Sequence, residues 1–319
     1  MASFIIGKSL QTCCRGRRAH GARAFGLKAI ISLQDIQQFV DHDASEAASD
    51  FMCANLTYDG HKGTDFALPS LAAQATGVAV LAAASGRVVG VRDGMADVLQ
   101  VGPDAPDVSN RECGNGVVIR HDDGWETQYC HLAEGSLTVT QNQTVAAGDT
   151  LGMIGLSGET QFPHLHLSVR KNGEVVDPFA PNGAETCALN PLETLWDEIP
   201  NVAQGGLISI GFSAAVPDFD VIKAGTAHRR VLARNDALVI WGNAFGSQVG
   251  DTLELAISGL NGEVIRETVT LDRAQAQLFR AVGRRAPQGG WDQGTYEGTV
   301  SHIRDGQVLD RQTIQAVVR

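Results

Sequence analysis

Five side chains that could bind a metal ion or carry protons lie in three separate segments of the sequence. His61 and Asp65 are four residues apart in GHKGTDFALP, His131 follows QYC, and His164 and His166 belong to PHLHLSV. A metal site that performs catalysis has about three nitrogen or carboxylate ligands and keeps a further position for water. His61, Asp65 and His166 meet that requirement if the fold brings their segments together.

The two histidines of PHLHLSV are predicted to share one face of a strand. Apolar residues alternate with the others in this segment, so His164 and His166 would project from the same side. Only one of them needs to bind a metal; the other would then be placed to hydrogen-bond a water molecule or a developing oxyanion. Either motif alone is more often an ordinary surface feature. Their combination with His131 favours a catalytic site.

This arrangement resembles the lysostaphin/LytM-type zinc endopeptidases, in which an HxxxD motif, a later His and a final HxH occur in the same order. The resemblance covers roughly residues 53–180 and extends to CGNGVVIRH, TQYCHL, AAGDTLGMIGLSG and FPHLHLSV before VDPF. It implies a zinc metalloendopeptidase that hydrolyses peptide bonds of peptidoglycan.

The resemblance also implies a role for each of the five side chains. His61, Asp65 and His166 would bind one zinc ion, and His131 and His164 would form the catalytic pair. Bound zinc lowers the pKa of water towards about 7. Which histidine is the base stays open, as does the choice between a D-alanyl cross-link and a glycine bridge as the bond that is cut.

Other residues near these motifs could shape a substrate groove. Asn115 lies between two glycines, where a groove role and a plain turn are both possible, and Tyr129 could form an apolar wall for a peptide. Packing in the core or a turn is favoured for Trp125, and a surface position for His121. The alternative to an enzyme is a catalytically silent module that binds the cell wall or activates another hydrolase, and a third possibility is an adhesive protein.

Charge and hydropathy narrow the class of partner. The 319-residue chain has a formal net charge of −11, but its first 34 residues contain six Lys or Arg and no Asp or Glu, which leaves −17 on the remainder. Such an acidic body argues against nucleic acid as a partner. No apolar stretch approaches the roughly 20 residues of a membrane-spanning helix. The start of the chain is either an unclear export signal or a disordered tail, because Lys28 interrupts its apolar part.

Four of the six cysteines fall in one predicted domain. Cys113 and Cys130 flank a predicted hairpin, so a cross-strand disulfide would fit between them, and Cys53 and Cys187 would then pair by elimination. These disulfides require export, and the predicted location is therefore periplasmic or extracellular. The alternative is four reduced cysteines in a cytosolic core.

The length predicts two folded domains, and the 36 glycines and short alternating segments predict a mainly β protein. We predict a leader or tail over 1–34, a LytM-like antiparallel-sheet zinc peptidase domain over 35–186, a linker over 187–200 and a β-sandwich accessory domain over 201–319. Residues 34–51 are predicted to form an irregular or helical lead-in. Asn-Gly and Asp-Gly turns between short strands favour an immunoglobulin-like sandwich in the last part.

Overall fold

The computed structural model describes residues 25–31, 35–184 and 186–319, and antiparallel strands dominate it, as predicted. Two short helices, α1 (Leu71–Ala75) and α2 (Phe219–Ala224), and a 3-10 turn at Asp122–Gly124 interrupt the strands. Within the described residues, no helix is both long and apolar enough to cross a membrane. Most of the predicted leader, residues 1–24 and 32–34, lies outside the described part of the chain.

The first half of the chain forms a large sheet and a two-stranded ribbon. The sheet has eight strands in the order β1-β2-β9-β6-β5-β4-β7 with β10 beside β9, and β3 pairs with β8 in the ribbon. The strands are β1 (Asp35–Gln38), β2 (Thr64–Ala67), β3 (Ala79–Leu81), β4 (Gly86–Arg92), β5 (Asn115–Arg120), β6 (Trp125–Leu132), β7 (Thr144–Val145), β8 (Thr150–Met153), β9 (His164–Lys171) and β10 (Glu174–Val175).

Side chains of strand β9 alternate between the core and the opposite face of the sheet. Leu165, Leu167 and Val169 are buried in the first hydrophobic core, so residues at the intervening positions face the opposite side of the sheet. The predicted hairpins β5–β6 and β9–β10 are both present. Asn172 and Gly173 turn the second hairpin with φ values of 52° and 92°, the left-handed backbone that such tight turns need.

Residues on both sides of the predicted peptidase domain pack into its core. Leu27 forms a parallel β-bridge with Trp196, and both side chains are buried in the first core. These residues were predicted as tail and linker, so the folded unit extends beyond the predicted limits in both directions. The lead-in also differs from the prediction, because it begins with strand β1 rather than with irregular or helical structure.

The second half of the chain is a sandwich of two sheets. A three-stranded sheet β11-β13-β16 and a five-stranded sheet β12-β18-β17-β14-β15 bury apolar residues between them. An immunoglobulin-like form of this sandwich stays a prediction. The strands are β11 (Gly206–Ser213), β12 (Val231–Leu232), β13 (Leu238–Ser247), β14 (Thr252–Gly259), β15 (Gly262–Thr270), β16 (Gln275–Arg284), β17 (Gly294–Arg304) and β18 (Gln307–Val318).

The outer face of the three-stranded sheet packs against the first half of the chain. Ile208 and Phe245 belong to the first core, and Gln277 Nε2 donates a hydrogen bond to Gln37 Oε1 over 2.7 Å. The two halves therefore share apolar and polar contacts rather than being joined by a linker alone.

Two disulfide bonds brace the first half. Cys113 is bonded to Cys130 and Cys53 to Cys187, with Cα separations of 4.7 and 5.0 Å. Both separations lie in the usual range for disulfides. The first bond joins the strand β6 to the loop before β5, immediately beside His131.

Candidate metal centre

Three of the five sequence-selected side chains meet at one point on the sheet. Asp65 on β2 lies directly opposite His166 on β9, and His61 reaches the same point from the loop before β2. His166 Nδ1 is 2.9 Å from Asp65 Oδ1, His61 Nε2 is 3.3 Å from the same oxygen, and the two imidazole nitrogens are 3.2 Å apart. Ligand atoms about 2.0–2.2 Å from a tetrahedral zinc ion would be roughly 3.4 Å from one another. The three atoms are close to that spacing.

The outer nitrogens of both histidines are held by other groups. His61 Nδ1 lies 2.6 Å from the carbonyl oxygen of Phe39, to which it can only donate. His166 Nε2 lies 3.0 Å from Ser168 Oγ. If both outer nitrogens donate, the inner nitrogens direct lone pairs at the carboxylate of Asp65 and at each other. Such a group of acceptors is repulsive until a cation or proton enters it, so this donor set fits a metal ion.

Gly63 is needed here for space. A Cβ atom at this position would lie 2.5 Å from His166 Nε2 and 2.7 Å from the carbonyl oxygen of Leu167, and both distances are shorter than such contacts allow. The ring of Tyr58 stacks on that of His61, with 4.4 Å between the ring centroids. The turn between His61 and Asp65 therefore brings the main chain directly against β9.

His131 and His164 form a second pair beside the three converging atoms. Their ring centroids are 4.6 Å apart. His131 Nδ1 donates to the carbonyl oxygen of Ser157 over 2.8 Å, and His164 Nδ1 donates to that of Phe162 over 2.9 Å. Because a carbonyl oxygen only accepts, these bonds fix a proton on Nδ1 and leave Nε2 of each ring as the atom that can exchange protons.

Burial and mutual charge shift the titration of these groups. Burial alone would raise the pKa of the Asp65 carboxyl, but the surrounding histidines hold it well below its usual value. Burial lowers the pKa of His131 far below that of a free imidazole, and the nearby His164 and His166 lower it further. Burial also lowers the pKa of His164, although Asp65 opposes this shift. The surroundings therefore favour a neutral His131–His164 pair beside an ionised carboxylate.

The structure does not place Tyr129 in the groove, so the prediction that it binds substrate is wrong. Its side chain is fully buried in the first core, and its hydroxyl accepts a hydrogen bond from the Ala83 amide over 2.8 Å. Burial raises the pKa of Tyr129 to about 12. The side chain faces the core because Tyr129 lies opposite Leu167, whose own side chain is in that core.

Asn115 also has a structural position rather than a place on a substrate surface. Its Oδ1 accepts from the amide of Met95, and its Nδ2 donates to the carbonyl oxygens of Met95 and Leu132. The residue is completely buried. The polar atoms of its side chain are thus engaged with main chain, which agrees with the turn alternative and contradicts a substrate contact.

The predictions for Trp125 and His121 differ in how they compare with the structure. Trp125 packs as predicted, stacked on Phe25 with 4.6 Å between ring centroids. The surface position predicted for His121 is wrong, because its side chain is buried. Its ring nitrogens lie 2.8 Å from the Ser85 carbonyl oxygen and 2.8 Å from Thr127 Oγ1.

Sequence reasoning missed the groups that orient the five site residues. Ser168 follows His166 by two residues in a strand, so alternation could have placed it beside that imidazole. Ser157 and Phe162 act through main-chain carbonyl oxygens. Their side-chain types therefore carried no signal.

Comparisons with known proteins find relatives that match part of this chain. Residues 59–178 match peptidase family M23. The DD-carboxypeptidase/endopeptidase Mpg of Neisseria meningitidis serogroup B is 42% identical over 65 residues, which cover 20% of this chain and 14% of that protein. The peptidoglycan DD-endopeptidase ShyA of Vibrio cholerae is 30% identical over 122 residues, which cover 38% of this chain and 23% of that protein. The chain thus spans less than a quarter of either relative.

One solved structure matches part of this chain with a low TM-score. A zinc containing peptidase from Vibrio cholerae is 24% identical, with a TM-score of 0.34, over 53% of this chain and 41% of the other. The antiparallel sheet of the present structure carries the histidine and aspartate side chains of the candidate site on one of its faces. The part of the chain that holds them, residues 59–178, is similar to the LytM-type domain of peptidase family M23.

Proposed function

We propose that this protein is a zinc metalloendopeptidase that hydrolyses peptide bonds in the stem or cross-bridge peptides of peptidoglycan. The observation that carries the proposal is the convergence of one carboxylate oxygen and two imidazole nitrogens within 2.9–3.3 Å of one another. The family match and the names of the relatives, which are peptidoglycan DD-endopeptidases and a DD-carboxypeptidase/endopeptidase, support the substrate class.

His61, Asp65 and His166 would hold the zinc ion. Two neutral imidazoles and one carboxylate are a common ligand set for catalytic zinc, and their number leaves a position for water. Zinc in such a site supplies an activated water molecule at neutral pH and polarises the carbonyl group of the substrate. The hydrogen bonds of His61 to Phe39 and of His166 to Ser168 would orient the ligand nitrogens.

His131 and His164 would move protons during hydrolysis. Each ring has Nδ1 held by a carbonyl oxygen, so a neutral ring accepts a proton at Nε2 and the protonated ring donates it from the same atom. One neutral histidine can therefore take a proton from the attacking water at Nε2 and later give it to the leaving amine. The other ring would donate a hydrogen bond to the developing oxyanion only in its protonated form, because Nε2 of the neutral ring is an acceptor.

The outward face of β6 and β9 would form the floor of the substrate groove. Gln128 lies opposite Ser168 in the sheet, and Arg170 Nη2 donates to Gln128 Oε1 over 2.6 Å. These side chains lie on the same face as His166 because strand residues alternate. An extended peptide lying along β9 would meet polar side chains before it reaches the metal.

The same reasoning bears on location and on the alternative function. Two disulfides favour an oxidising compartment, so we propose a periplasmic or extracellular protein in which residues 35–186 carry the reaction. A silent module that only binds the wall is not favoured, because the three proposed ligands and both proposed catalytic histidines lie together.

The test compares the parent full chain with two variants. Metal content by elemental analysis and release of new amines from purified peptidoglycan are measured for the parent, for His166→Ala and for His228→Ala, a histidine of the second half. We expect about one zinc per chain and cleavage in the parent and in His228→Ala, with both lost in His166→Ala. A folded parent without zinc would refute the mechanism, and zinc without cleavage of any wall type would refute the substrate class.

A further inference from the structure

A pocket of about 220 Å³ lies where the first half of the chain meets the outer face of the three-stranded sheet. Leu68, Phe162 and Pro163 line it from the first half, and Ile208 and Asn243 line it from the second half. Its wall is therefore assembled only when both halves are in place. We call it the junction pocket.

The junction pocket lies next to the candidate metal centre, because Phe162 borders both. The ring of Phe162 stacks on that of His164, with centroids 4.5 Å apart, so the two sites share this side chain as a wall. The amide of Leu68 donates to the carbonyl oxygen of Pro163 over 2.9 Å, which joins the end of β2 to the start of β9. Phe162 and Pro163 therefore separate the pocket from His164 by one or two residues of the chain.

Asn243 is a polar residue of this pocket whose side-chain oxygen lacks a partner among the described residues. Only 2% of the residue is exposed, its Oδ1 is buried without a hydrogen-bond partner in the described structure, and it lines the pocket beside Ile208. An unpaired buried amide costs stability. A carboxamide presents one acceptor and two donor hydrogens side by side, which complements the N–H and C=O groups of a peptide unit.

The volume and the charge of the pocket limit the class of ligand that it can bind. A volume of about 220 Å³ is smaller than the roughly 300–1,000 Å³ of pockets that hold drug-sized ligands, so a single peptide residue fits better than a sugar chain. The charged groups at the rim are Lys223 and Asp220, which pair over 2.8 Å and leave no net charge. The remaining wall is mainly apolar, which favours an uncharged side chain.

We propose that the junction pocket binds one small, uncharged residue of the peptide substrate, with the peptide group of that residue hydrogen-bonded to Asn243. This inference rests on the proposed function and gives the second half of the chain a role in substrate choice. Asn243 is a specificity residue in this view, because it touches the peptide away from the bond that is cut.

Asn243→Leu tests the proposal, since leucine is similar in size and has neither donor nor acceptor. Asn261→Ala, an exposed change on a distant hairpin of the same sandwich, is the control. The substrate is the soluble cross-linked peptide released from peptidoglycan by an amidase. We expect Asn243→Leu to raise KM about tenfold with kcat within about twofold, the size expected for losing one or two neutral hydrogen bonds. The unfolding midpoint should stay the same or rise, because no hydrogen bond within the protein is lost.

Binding provides a second readout that does not depend on turnover. In a His131→Ala background, which keeps the three proposed ligands, calorimetry with the same peptide should give a Kd about tenfold higher after Asn243→Leu. If the parent cleaves the peptide but Asn243→Leu changes neither KM nor Kd, the pocket assignment is overturned and the proposed function stands. A parent that holds zinc but neither cleaves nor binds the peptide would overturn the proposed function, and the assignment with it.

Discussion

Replacing Ser168 by alanine should weaken zinc binding without touching a ligand. Ser168 Oγ lies 3.0 Å from His166 Nε2, and only 3% of the residue is exposed. The alanine variant would leave an N–H of a ligand imidazole without its acceptor. The ring could then rotate or change tautomer, and either change turns the Nδ1 lone pair away from the other two ligand atoms.

The expected loss of zinc affinity in Ser168→Ala depends on how well a water molecule can replace the hydroxyl group. Loss of a group that orients a metal ligand costs about 10–100-fold in metal affinity, or about 1.4–2.7 kcal/mol. The His166 side chain keeps 16% of its surface exposed, so a water molecule has partial access to the ring. We therefore expect the lower end of this range, about tenfold.

Competition with a chromophoric zinc chelator measures the effect on the full chain. Ser209→Ala is the matched control, because Ser209 Oγ is buried in the second half and has no hydrogen-bond partner in the part of the chain that the structure describes. Ser209→Ala should bind zinc like the parent. Equal zinc affinities in Ser168→Ala and Ser209→Ala, in proteins with the same circular dichroism spectrum, would refute the argument that this hydroxyl orients the ligand.

Three further predictions address the catalytic pair, the core and the sandwich. His131→Ala and His164→Ala should each lower kcat about 10²–10⁴-fold while elemental analysis finds unchanged zinc; loss of zinc in either variant would contradict their separation from the ligands. Tyr129→Phe removes the acceptor of a buried amide and should lower the free energy of unfolding in urea by about 1–2 kcal/mol with kcat unchanged. A raised KM without any loss of stability would instead support contact between Tyr129 and the substrate. Burial alone would raise the pKa of Asp251, but hydrogen bonds, including those from Arg304, lower it. Its stabilising contribution is therefore present above about pH 4 and is lost as pH falls through the folded pKa, so acid unfolding of Asp251→Asn should depend less on pH than that of the parent.

Sequence reasoning predicted which side chains converge, because regular alternation governs the main strand of the candidate site. His164 and His166 are two residues apart in β9, and the partner strand brings Asp65 opposite His166. A spacing of two guarantees one face wherever a strand is regular. The hairpins were predictable for a related reason, since Asn172 and Gly173 are residue types that tolerate the left-handed turn.

The same reasoning failed for residues whose position depends on distant contacts. The segments around Leu27 and Trp196 looked like a tail and a linker, because neither contains a strand pattern of its own. They pair with each other across the fold and enter the core together, so neither segment alone reveals the outcome. Asn115 likewise looked like a turn or groove residue, and its three side-chain bonds are to main chain far along the sequence.

His131 shows why an irregular strand is required at this site. Tyr129 and His131 are two residues apart on β6, so regular alternation would place both on the core face. His131 instead has φ of 63°, and β5 pairs with β6 at Asn115–Leu132 and Val117–Tyr129, which leaves two residues of β6 opposite Gly116. This is the geometry of a β-bulge, which re-aims a side chain.

The bulge is held from both sides. The His131 amide donates to the carbonyl oxygen of Cys113 over 2.9 Å, and its own carbonyl oxygen accepts from Gly155 over 2.8 Å. The disulfide of Cys113 with Cys130 fixes the neighbouring residue as well. A left-handed backbone at a histidine costs about 1 kcal/mol or more, and these contacts offset that cost. The imidazole thereby leaves the core face that it would share with Tyr129 and faces His164, so the irregularity in β6 is what brings the two histidines of the proposed catalytic pair together.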